Sequence, residues 1–380
     1  MTIRTAMLGT GFMGKVHTEA IRRLGNVEVA AVAGSTQEVA EKFAAAYFIP
    51  KATGDWRSLV ADPSIDAVHV CTPNVLHYPM VEAALDAGKH VVCEKPLTMT
   101  AAEAHELAAL ATRKKLAHCV NHNLRYYPVV QHVRSMIEAR ELGDILVVNG
   151  TYFQDWLLYD TDWNWRATAE AGGELRAMGD IGSHWMDMIQ HLTGLKITAL
   201  CAELTAFHKT RKRPMRSVET FTGKKLNPSD YESVAVTTDD FGAVLVHLGD
   251  RARGSFAVSQ VSAGRKNRFQ FEIYGTKCGV TWNQERPDEL WIGHRNSPNQ
   301  IVIKDPALFD ARAAGFADLP GGHSEGYDDT FKQIFRRFYA RVANSSAPVE
   351  YPTFEDGAWG MDLLEKVKES DQKRAWVNTI

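Results

Sequence analysis

The sequence contains few cysteines, and their spacing matches neither a disulfide framework nor a metal site. There are five, Cys71, Cys93, Cys119, Cys201 and Cys278, an odd number without a CxxC pair. Disulfide-rich domains and structural zinc sites both require closely spaced cysteines. We therefore expect small buried side chains or free thiols, and no metal site.

Long apolar runs and a strong net charge are also missing. No apolar run approaches the roughly 20 residues that span a bilayer. The formal net charge is −3 over 380 residues, too little for long-range attraction to nucleic acid or an anionic membrane. The first nine residues lead into a strand-like run without the apolar stretch of a signal peptide. We expect a cytoplasmic protein without a nucleic-acid or membrane partner.

The hydrophobic pattern that is present changes near residue 122. Residues 1–122 alternate short apolar runs with Ala-, Glu-, Leu- and Lys-rich stretches, which is typical of βαβ units and a parallel sheet. The strands predicted there are 6–8, 27–33, 67–71, 90–93 and 118–121. Residues 123–380 begin with a predicted helix over 129–140, and their later strands alternate apolar and polar residues, as in antiparallel sheets. Those strands are 145–153, 197–205, 233–238, 243–248, 254–260 and 268–274.

Two helices, over 327–342 and 355–369, are predicted to close the chain. Residues 207–230 are basic and aperiodic, and they predict a long loop or a mobile hairpin. A solvated loop is favoured there over an anion-binding role.

A glycine-rich turn follows the first predicted strand. Gly9-Thr10-Gly11-Phe12-Met13-Gly14 fits the pattern G-x-G-x-x-G and precedes a helix that is predicted to end near Leu24. Such glycines permit a tight turn, the approach of a pyrophosphate and the packing of helix on strand, while the helix N-terminus attracts the phosphates. Dinucleotide binding is the prediction, and a purely structural turn is the alternative.

The second strand does not decide between NAD and NADP. It is followed by Ser35 and Thr36, with neither an acid for the ribose hydroxyls nor a neighbouring arginine for a 2′-phosphate. The cofactor is therefore NAD or NADP.

Two further strand ends place polar residues at the same edge of the predicted sheet. One carries Thr72, Pro73, Asn74 and His77, and the other carries Glu94-Lys95-Pro96. Ligands of open α/β sheets bind beyond the carboxyl ends of the strands, and the proline after Lys95 restricts the backbone there. A surface turn is the alternative for Lys95.

These motifs together resemble the Gfo/Idh/MocA family of oxidoreductases, and the resemblance extends to Asp180, His184 and the run Glu272–Lys277. It implies an α/β fold class: an N-terminal Rossmann dinucleotide-binding domain (1–122) plus a C-terminal α+β substrate-binding and oligomerisation domain (123–380) with an open, mainly antiparallel sheet. It also implies a homodimer or homotetramer, a cis bond before Pro96, and a sugar, inositol or related polyol as substrate. The catalytic set that it implies is Lys95, Asp180 and His184.

The residue types fit those roles. Asp180 and His184 are four apart in a predicted helix over 179–192 and would share one face, although a solvated pair would show the same spacing. A histidine can accept the hydroxyl proton near neutral pH. Lys95 would stabilise developing negative charge on the substrate oxygen, and Asp180 would orient the substrate or His184.

Tryptophans interleaved with polar residues over 152–166 suit a carbohydrate, which presents both apolar faces and hydroxyls. In its many tryptophans this segment resembles members of the family that act on glucosides or anhydrosugars. A tryptophan-rich core segment is the alternative. The glycine-flanked His323 is either a substrate contact or part of a helix-capping loop. The predicted substrate contacts are Lys95, Gln154, Asp155, Trp165, Arg166, Asp180, His184 and His323. The predicted cofactor contacts are Gly9, Thr10, Gly11, Phe12, Met13, Gly14, Ser35, Thr36, Thr72, Pro73, Asn74, His77, Glu94, Lys95, Asn123 and Arg166.

The sequence thus predicts an NAD(P)-dependent oxidoreductase that transfers hydride between a nicotinamide cofactor and a hydroxyl-bearing carbon of a sugar, inositol or glycoside. Two alternatives stay open. One is a glycosidase that uses bound NAD for transient oxidation, and the other is a non-catalytic cofactor-binding regulator.

Overall fold

The computed structural model describes residues 2–215 and 227–380. Among these residues the strands are, in chain order, β1 (Ile3–Leu8), β2 (Val27–Ala33), β3 (Lys51–Thr53), β4 (Ala67–Val70), β5 (His90–Cys93), β6 (His118–Val120), β7 (Ile145–Phe153), β8 (Ile197–Thr205), β9 (Thr210–Pro214), β10 (Tyr231–Ala235), β11 (Phe241–Leu248), β12 (Ala252–Ser259), β13 (Arg268–Gly275), β14 (Gly279–Asn283), β15 (Glu289–Gly293), β16 (Gln300–Ile303) and β17 (Val377–Asn378). The α-helices are α1 (Phe12–Arg22), α2 (Gln37–Ala46), α3 (Trp56–Val60), α4 (His77–Asp86), α5 (Ala101–Lys114), α6 (Pro128–Glu138), α7 (Ala169–Gly172), α8 (Ser183–Thr193), α9 (Ala311–Ala314), α10 (Tyr327–Ala343) and α11 (Phe354–Lys373).

Local sequence signals account for several of these boundaries. Thr100 and Glu103 form a capping box at the start of α5, which satisfies two backbone N–H groups that the helix itself cannot pair. Helix α6 begins at Pro128, a position where proline costs no intrahelical hydrogen bond. None of the helices in the described residues is long and apolar enough to cross a membrane.

The described chain forms two compact units. The first contains residues 2–126 and 327–361, and its sheet has the order β3-β2-β1-β4-β5-β6 with every pair parallel. The strand order reverses between β1 and β4, which is where doubly wound sheets bind their ligands. The predicted parallel α/β architecture is confirmed.

Helix α10 belongs to this first unit although it begins at Tyr327, far beyond the end of β6 at Val120. Its side chains Phe331, Phe335 and Phe338 are fully buried. The Phe335 ring lies 4.7 Å from the ring of His17 and 4.8 Å from that of His69. The apolar face of α10 thus covers polar side chains of α1 and β4.

The second unit contains residues 127–326 and 362–380. Its nine-stranded sheet has the order β16-β15-β14-β13-β7-β12-β11-β8-β17. The pair β7–β12 is parallel and the other pairs are antiparallel, so the predicted mainly antiparallel sheet is confirmed. Helix α8 packs on one face: Trp185 stacks on Phe256 at 4.3 Å. A Cβ at Gly150 would lie 2.2 Å from Nε1 of Trp185, so glycine is required there.

Two predicted segments, 233–238 and 179–192, differ from the structure, and the hairpin that was one of two possibilities for 207–230 is present in part. The strand placed at 233–238 runs instead over β10 and pairs with β9 in a separate two-stranded sheet, because its alternation fits a small hairpin as well as a large sheet. The basic segment 207–230 therefore contributes a hairpin strand, and its residues 216–226 lie outside the described residues. The helix predicted over 179–192 begins with a π-helical turn, Met178–Gly182, before α8.

Candidate active site

In the first unit the predicted cofactor residues follow the carboxyl ends of adjacent strands. Backbone hydrogen bonds link each strand end to the next one along the sheet: Gly9 N donates to Ala33 O (3.0 Å), Cys71 N to Leu8 O (2.8 Å), Glu94 N to Val70 O (3.0 Å) and Asn121 N to Cys93 O (2.9 Å). The glycine turn, the segment 72–77 and Glu94-Lys95 thus leave the sheet at one edge.

The glycine turn has the geometry that a dinucleotide phosphate needs. Gly9 has φ of +119°, and a Cβ at Gly14 would lie 2.2 Å from Gly9 O, so turn and helix approach each other closely. A Cβ at Gly11 would meet no heavy atom of the described residues within 4 Å. No described side chain caps the N-terminus of α1. Its backbone N–H groups therefore suit an anionic ligand, and these residues fit a nicotinamide dinucleotide.

The end of β2 gives little selection between the two cofactors. Ser35 and Thr36 are both exposed, and the Thr36 hydroxyl accepts a hydrogen bond from Val39 N (3.2 Å) as the cap of α2. Because the Thr36 hydroxyl already caps α2, Ser35 is the better candidate of the two to bind the adenosine ribose.

The predicted cofactor residues His77 and Asn123 make hydrogen bonds within the first unit. The buried His77 ring lies 2.9 Å from Pro96 O through Nδ1 and 3.0 Å from Thr72 O through Nε2. Asn123 donates from Nδ2 to Thr330 Oγ1 (2.8 Å). His77 therefore connects the 72–77 segment to the Lys95-Pro96 turn, and the peptide bond of that turn is cis, as the resemblance implied.

Glu94, beside Lys95, is held by buried polar side chains. Its Oε1 lies 2.9 Å from His17 Nε2 and 2.5 Å from Asn121 Nδ2, and Oε2 accepts from Lys95 N (3.3 Å). Burial acts to raise the pKa of Glu94, but the hydrogen bond and charge of His17, with the charge of Lys95, hold it below its usual value. The carboxylate is therefore ionised at neutral pH and accepts from all three neighbours.

The network continues into the core of the first unit. His17 Nδ1 lies 2.9 Å from His69 Nδ1, and His69 Nε2 lies 2.8 Å from the Tyr339 hydroxyl. Burial, followed by the charge of His17, keeps the pKa of His69 well below its usual value. His69 is therefore neutral, with one ring nitrogen donating and the other accepting. The sequence analysis did not predict His17 and His69 as part of this network. Neither residue lies in a recognisable motif that would indicate a buried hydrogen-bond partner of Glu94.

In the second unit, Asp180 and His184 lie on the segment that joins the π-helical turn to α8. Asp180 Oδ2 accepts from Gln260 Nε2 (2.8 Å), and Oδ1 lies 3.3 Å from Arg166 Nε. His184 is 7% exposed, and its ring centroid lies 6.1 Å from that of Tyr152. The residues of this pair are thus held by the protein rather than freely solvated.

The start of this segment is fixed by a second carboxylate. Asp239 Oδ1 accepts from Arg176 N and Oδ2 from Met178 N, both at 2.7 Å. Burial raises the pKa of Asp239 above its usual value, although the two backbone donors act in the opposite direction. Asp239 thus satisfies backbone N–H groups at the beginning of the π-helical turn.

The predicted substrate residues 154–166 make contacts within the second unit. Arg166 stacks over the Trp165 ring, with Cζ 4.1 Å from the ring centroid, and so connects this tryptophan to Asp180. Gln154 donates to Asn267 Oδ1 (2.8 Å), and Asp155 Oδ2 accepts from Lys266 Nζ (2.7 Å). Arg166 therefore contacts Asp180 directly, and Trp165 is connected to Asp180 through it.

A buried cluster of charged side chains fixes the loop 157–162, which precedes Trp165 and Arg166 in the chain. The sequence analysis did not predict this cluster. Arg176 and Arg211 both pair with Asp240, and all three are essentially inaccessible to solvent. Arg211 also donates to the backbone oxygens of Leu157 (2.9 Å) and Tyr159 (2.9 Å). The basic hairpin therefore contributes a structural cation that connects loop 157–162 to Asp240.

The loop that carries His323 is fixed by another buried cation. Lys304, 1% exposed, donates from Nζ to His323 O (2.7 Å), Leu319 O (3.1 Å) and Glu325 Oε2 (2.8 Å). The His323 ring itself is exposed, with Nδ1 3.2 Å from Gly321 O. The backbone is therefore held while the imidazole stays accessible.

The whole chain is similar to known oxidoreductases. Residues 3–122 match a family model described as "Oxidoreductase family, NAD-binding Rossmann fold", and residues 130–281 match a model for the GFO/IDH/MocA C-terminal domain. A levoglucosan dehydrogenase of Pseudarthrobacter phenanthrenivorans is 30% identical over 99% of this chain and 98% of its own. An inositol 2-dehydrogenase of Rhizobium meliloti is 28% identical over 77% of this chain and 79% of its own. The solved structure of a levoglucosan dehydrogenase in complex with NADH and levoglucosan superposes with a TM-score of 0.89 at 28% identity, covering 100% of both chains.

Proposed function

The chain belongs to the Gfo/Idh/MocA family of oxidoreductases and carries an NAD-binding Rossmann domain, and from this premise we propose that it oxidises a ring hydroxyl of an anhydrosugar or related glycoside. The observation that carries the proposal is the contact of Asp180 with Arg166, which itself stacks on Trp165. A carboxylate and a guanidinium beside an indole offer hydrogen bonds to hydroxyls and an apolar surface to C–H groups. The relatives named for levoglucosan support the same substrate class.

The catalytic set that we propose is Lys95, Asp180 and His184. A bound oxidised nicotinamide would supply the hydride acceptor. His184 takes the proton of the reacting hydroxyl, because the imidazole of histidine can accept a proton near neutral pH. Asp180, held by Arg166 and Gln260, orients the substrate or His184. The ammonium of Lys95 stabilises negative charge that develops on the substrate oxygen.

The cofactor site that we propose follows the strand ends of the first unit. Backbone N–H groups of residues 11–14 would hold the pyrophosphate, and Ser35 the adenosine ribose. NAD is favoured over NADP because no lysine or arginine adjoins Ser35 and Thr36 in the sequence, and because relatives of known structure contain NADH. The 72–77 segment, Glu94, Asn123 and Arg166 complete the proposed cofactor contacts.

We propose a homo-oligomer formed through the sheet face opposite α8. Alternation along β11 buries Val244 and Val246 and leaves Leu245 50% exposed, and Val147 of β7 is 40% exposed. A second copy of the same face would cover these apolar side chains. Sedimentation equilibrium tests this assembly, and Leu245→Arg is expected to shift the protein toward monomer.

The five free cysteines support a reducing, cytoplasmic location.

The function is tested by mixing the protein with NAD or NADP and a panel of levoglucosan, glucosides, hexoses and inositols while absorbance at 340 nm is followed. Stoichiometric NADH and a keto product from an anhydrosugar or glycoside support the proposal. Release of an aglycone without accumulated NADH would identify the glycosidase alternative. Tight dinucleotide binding without turnover of any panel member would favour the regulator.

A further inference from the structure

Gln260 contacts Asp180 directly, although 80 residues separate the two in the chain. Its Nε2 donates to Asp180 Oδ2 at 2.8 Å, and the side chain is fully buried just after β12. A carboxylate accepts hydrogen bonds and cannot donate when ionised, so this contact favours the ionised form of Asp180.

The orientation of the Gln260 amide that allows this contact leaves the other atom of the amide, Oε1, in an unfavourable environment. Its Oε1 is buried and has no hydrogen-bond partner among the described residues, which leaves a desolvated carbonyl uncompensated. Turning the amide over would present that oxygen to the Asp180 carboxylate, and two acceptors repel each other. The contact with Asp180 therefore determines which way the amide faces.

The backbone of Gln260 is tied to the buried charged cluster. Gln260 N donates to Asp240 O (3.0 Å), and Gln260 O accepts from Leu157 N (3.2 Å). Asp240 pairs with Arg211, which also holds the backbone of loop 157–162. Arg166, which follows this loop in the chain, approaches the other Asp180 oxygen. These contacts, together with the chain that runs from loop 157–162 to Arg166, thus connect Asp180, Gln260, Asp240 and Arg211 in a ring.

We propose that Gln260 is a positioning residue that keeps Asp180 ionised and fixes its orientation, and that the Arg211–Asp240 pair holds Gln260 in place relative to loop 157–162. The proposal rests on the function proposed above, because it assigns Gln260 a role through Asp180. Among the described residues of the second unit, the titratable groups near Asp180 include Arg166, Tyr152 and, one turn further along the helix, His184. Gln260 adds a neutral donor to this set.

The test compares Gln260→Met with Gln284→Met. Methionine matches the length of glutamine without its hydrogen bonds. Gln284 is a second buried glutamine of the same sheet, with a buried unpartnered Oε1 and a backbone N–H that donates to Phe269 O (2.9 Å). The change at Gln284 thus controls for the loss of a buried amide in general.

With the sugar that the unmodified protein oxidises, Gln260→Met is expected to lower kcat by 10-fold or more and to leave the dinucleotide Kd unchanged. The acid limb of the kcat/KM profile should move to higher pH, because the ionised Asp180 loses a donor. Gln260→Glu should move it further, since a second carboxylate disfavours ionisation of the first. Gln284→Met should leave the profile in place. Equal profiles for Gln260→Met and Gln284→Met would overturn the proposal.

A double-mutant cycle separates this inference from the proposed function. The unfolding equilibrium constants of the unmodified protein, Gln260→Met, Asp180→Ala and the double variant are measured in urea. Non-additive changes support the contact, and additive changes overturn it, whether or not any sugar is oxidised. If the cycle is non-additive and the unmodified protein produces no NADH from any sugar, the proposed function has failed while the coupling stands.

Discussion

Nε2 of His17 lies 2.9 Å from Oε1 of Glu94, so that the helix after the glycine turn is joined to the strand end that carries Lys95. Both side chains are buried, at 0% and 7% exposure. Removing one partner of a buried pair leaves the other partner desolvated and uncompensated. This contact therefore couples the shape of the cofactor turn to the position of Lys95 within the first unit.

Glu94→Gln is expected to lower the free energy of unfolding near pH 7 by about 2 kcal/mol, as for the loss of a charged buried hydrogen bond. The folded-state pKa of Glu94 lies below its usual value. The stabilisation is therefore present above the unfolded pKa and is lost as the pH falls through the folded one. The difference between variant and unmodified protein should therefore shrink as the pH falls below the pKa of an unfolded glutamate. Urea unfolding at several pH values measures it.

The control for that series is Glu19→Gln, which changes an exposed carboxylate on α1, the helix that carries His17. It should alter stability by no more than about 0.5 kcal/mol. A Glu94→Gln penalty that stays constant down to pH 3 would show that the carboxylate charge does not contribute.

Gly11→Ala and Gly14→Ala are expected to separate cofactor binding from folding. A Cβ at Gly11 meets no described heavy atom within 4 Å, whereas one at Gly14 lies 2.2 Å from Gly9 O. Gly11→Ala should therefore keep the stability within about 1 kcal/mol but weaken NADH binding roughly 10-fold or more, because the methyl group occupies the approach of the pyrophosphate. Gly14→Ala should unfold at a lower temperature. Fluorescence titration with NADH and thermal unfolding measure the two effects, and unchanged NADH affinity for Gly11→Ala would contradict the proposed phosphate site.

Local patterns in the sequence predicted the bounds of several strands. The predicted bounds of β2, β5, β7 and β8 agree with the structure, because their apolar residues alternate or run continuously between clear turn signals. β3 has three residues, none of them buried, and offers no periodicity to detect. The membership of α10 in the first unit was equally hidden, since an amphipathic face shows that a helix packs but not on which sheet.

The residues of the candidate site also fall into two groups: those that belong to a local sequence motif and those that contact a partner far away in the chain. The glycine turn and Lys95 are local motifs, and their placement after strands follows from the sequence. Gln260, His17 and Arg211 act on partners that are 80, 77 and 29 residues away. Nothing in their immediate neighbours distinguishes them from other buried or solvated side chains. Sheet order and loop return bring these pairs together, and both are properties of the folded chain.

His184→Ala is expected to lower kcat by roughly 100-fold or more while the dinucleotide Kd stays within about twofold, since general base help in proton transfer is of that order. His184 lies on α8, in the second unit, away from the glycine turn in the chain. His191→Ala, on the same helix, is the control, because His191 lies near Gln131 and Arg134 instead. Steady-state kinetics with the sugar found in the panel, beside NADH titration, measures both quantities. Normal turnover of His184→Ala would remove this residue from the catalytic set.

Lys304→Met is expected to release the backbone of loop 318–325. Lys304 Nζ holds Leu319 O, His323 O and Glu325 Oε2, and its loss leaves the buried Glu325 without its cation. A loss of about 3 kcal/mol in the free energy of unfolding is expected, with faster proteolysis in the glycine-flanked segment. If His323 contacts the substrate, KM for the sugar should rise in both Lys304→Met and His323→Ala, while stability falls in Lys304→Met alone, because the His323 imidazole is exposed. A KM that stays constant in His323→Ala would exclude His323 from the substrate contacts, and the buried Lys304 would then stabilise the fold without acting on the substrate.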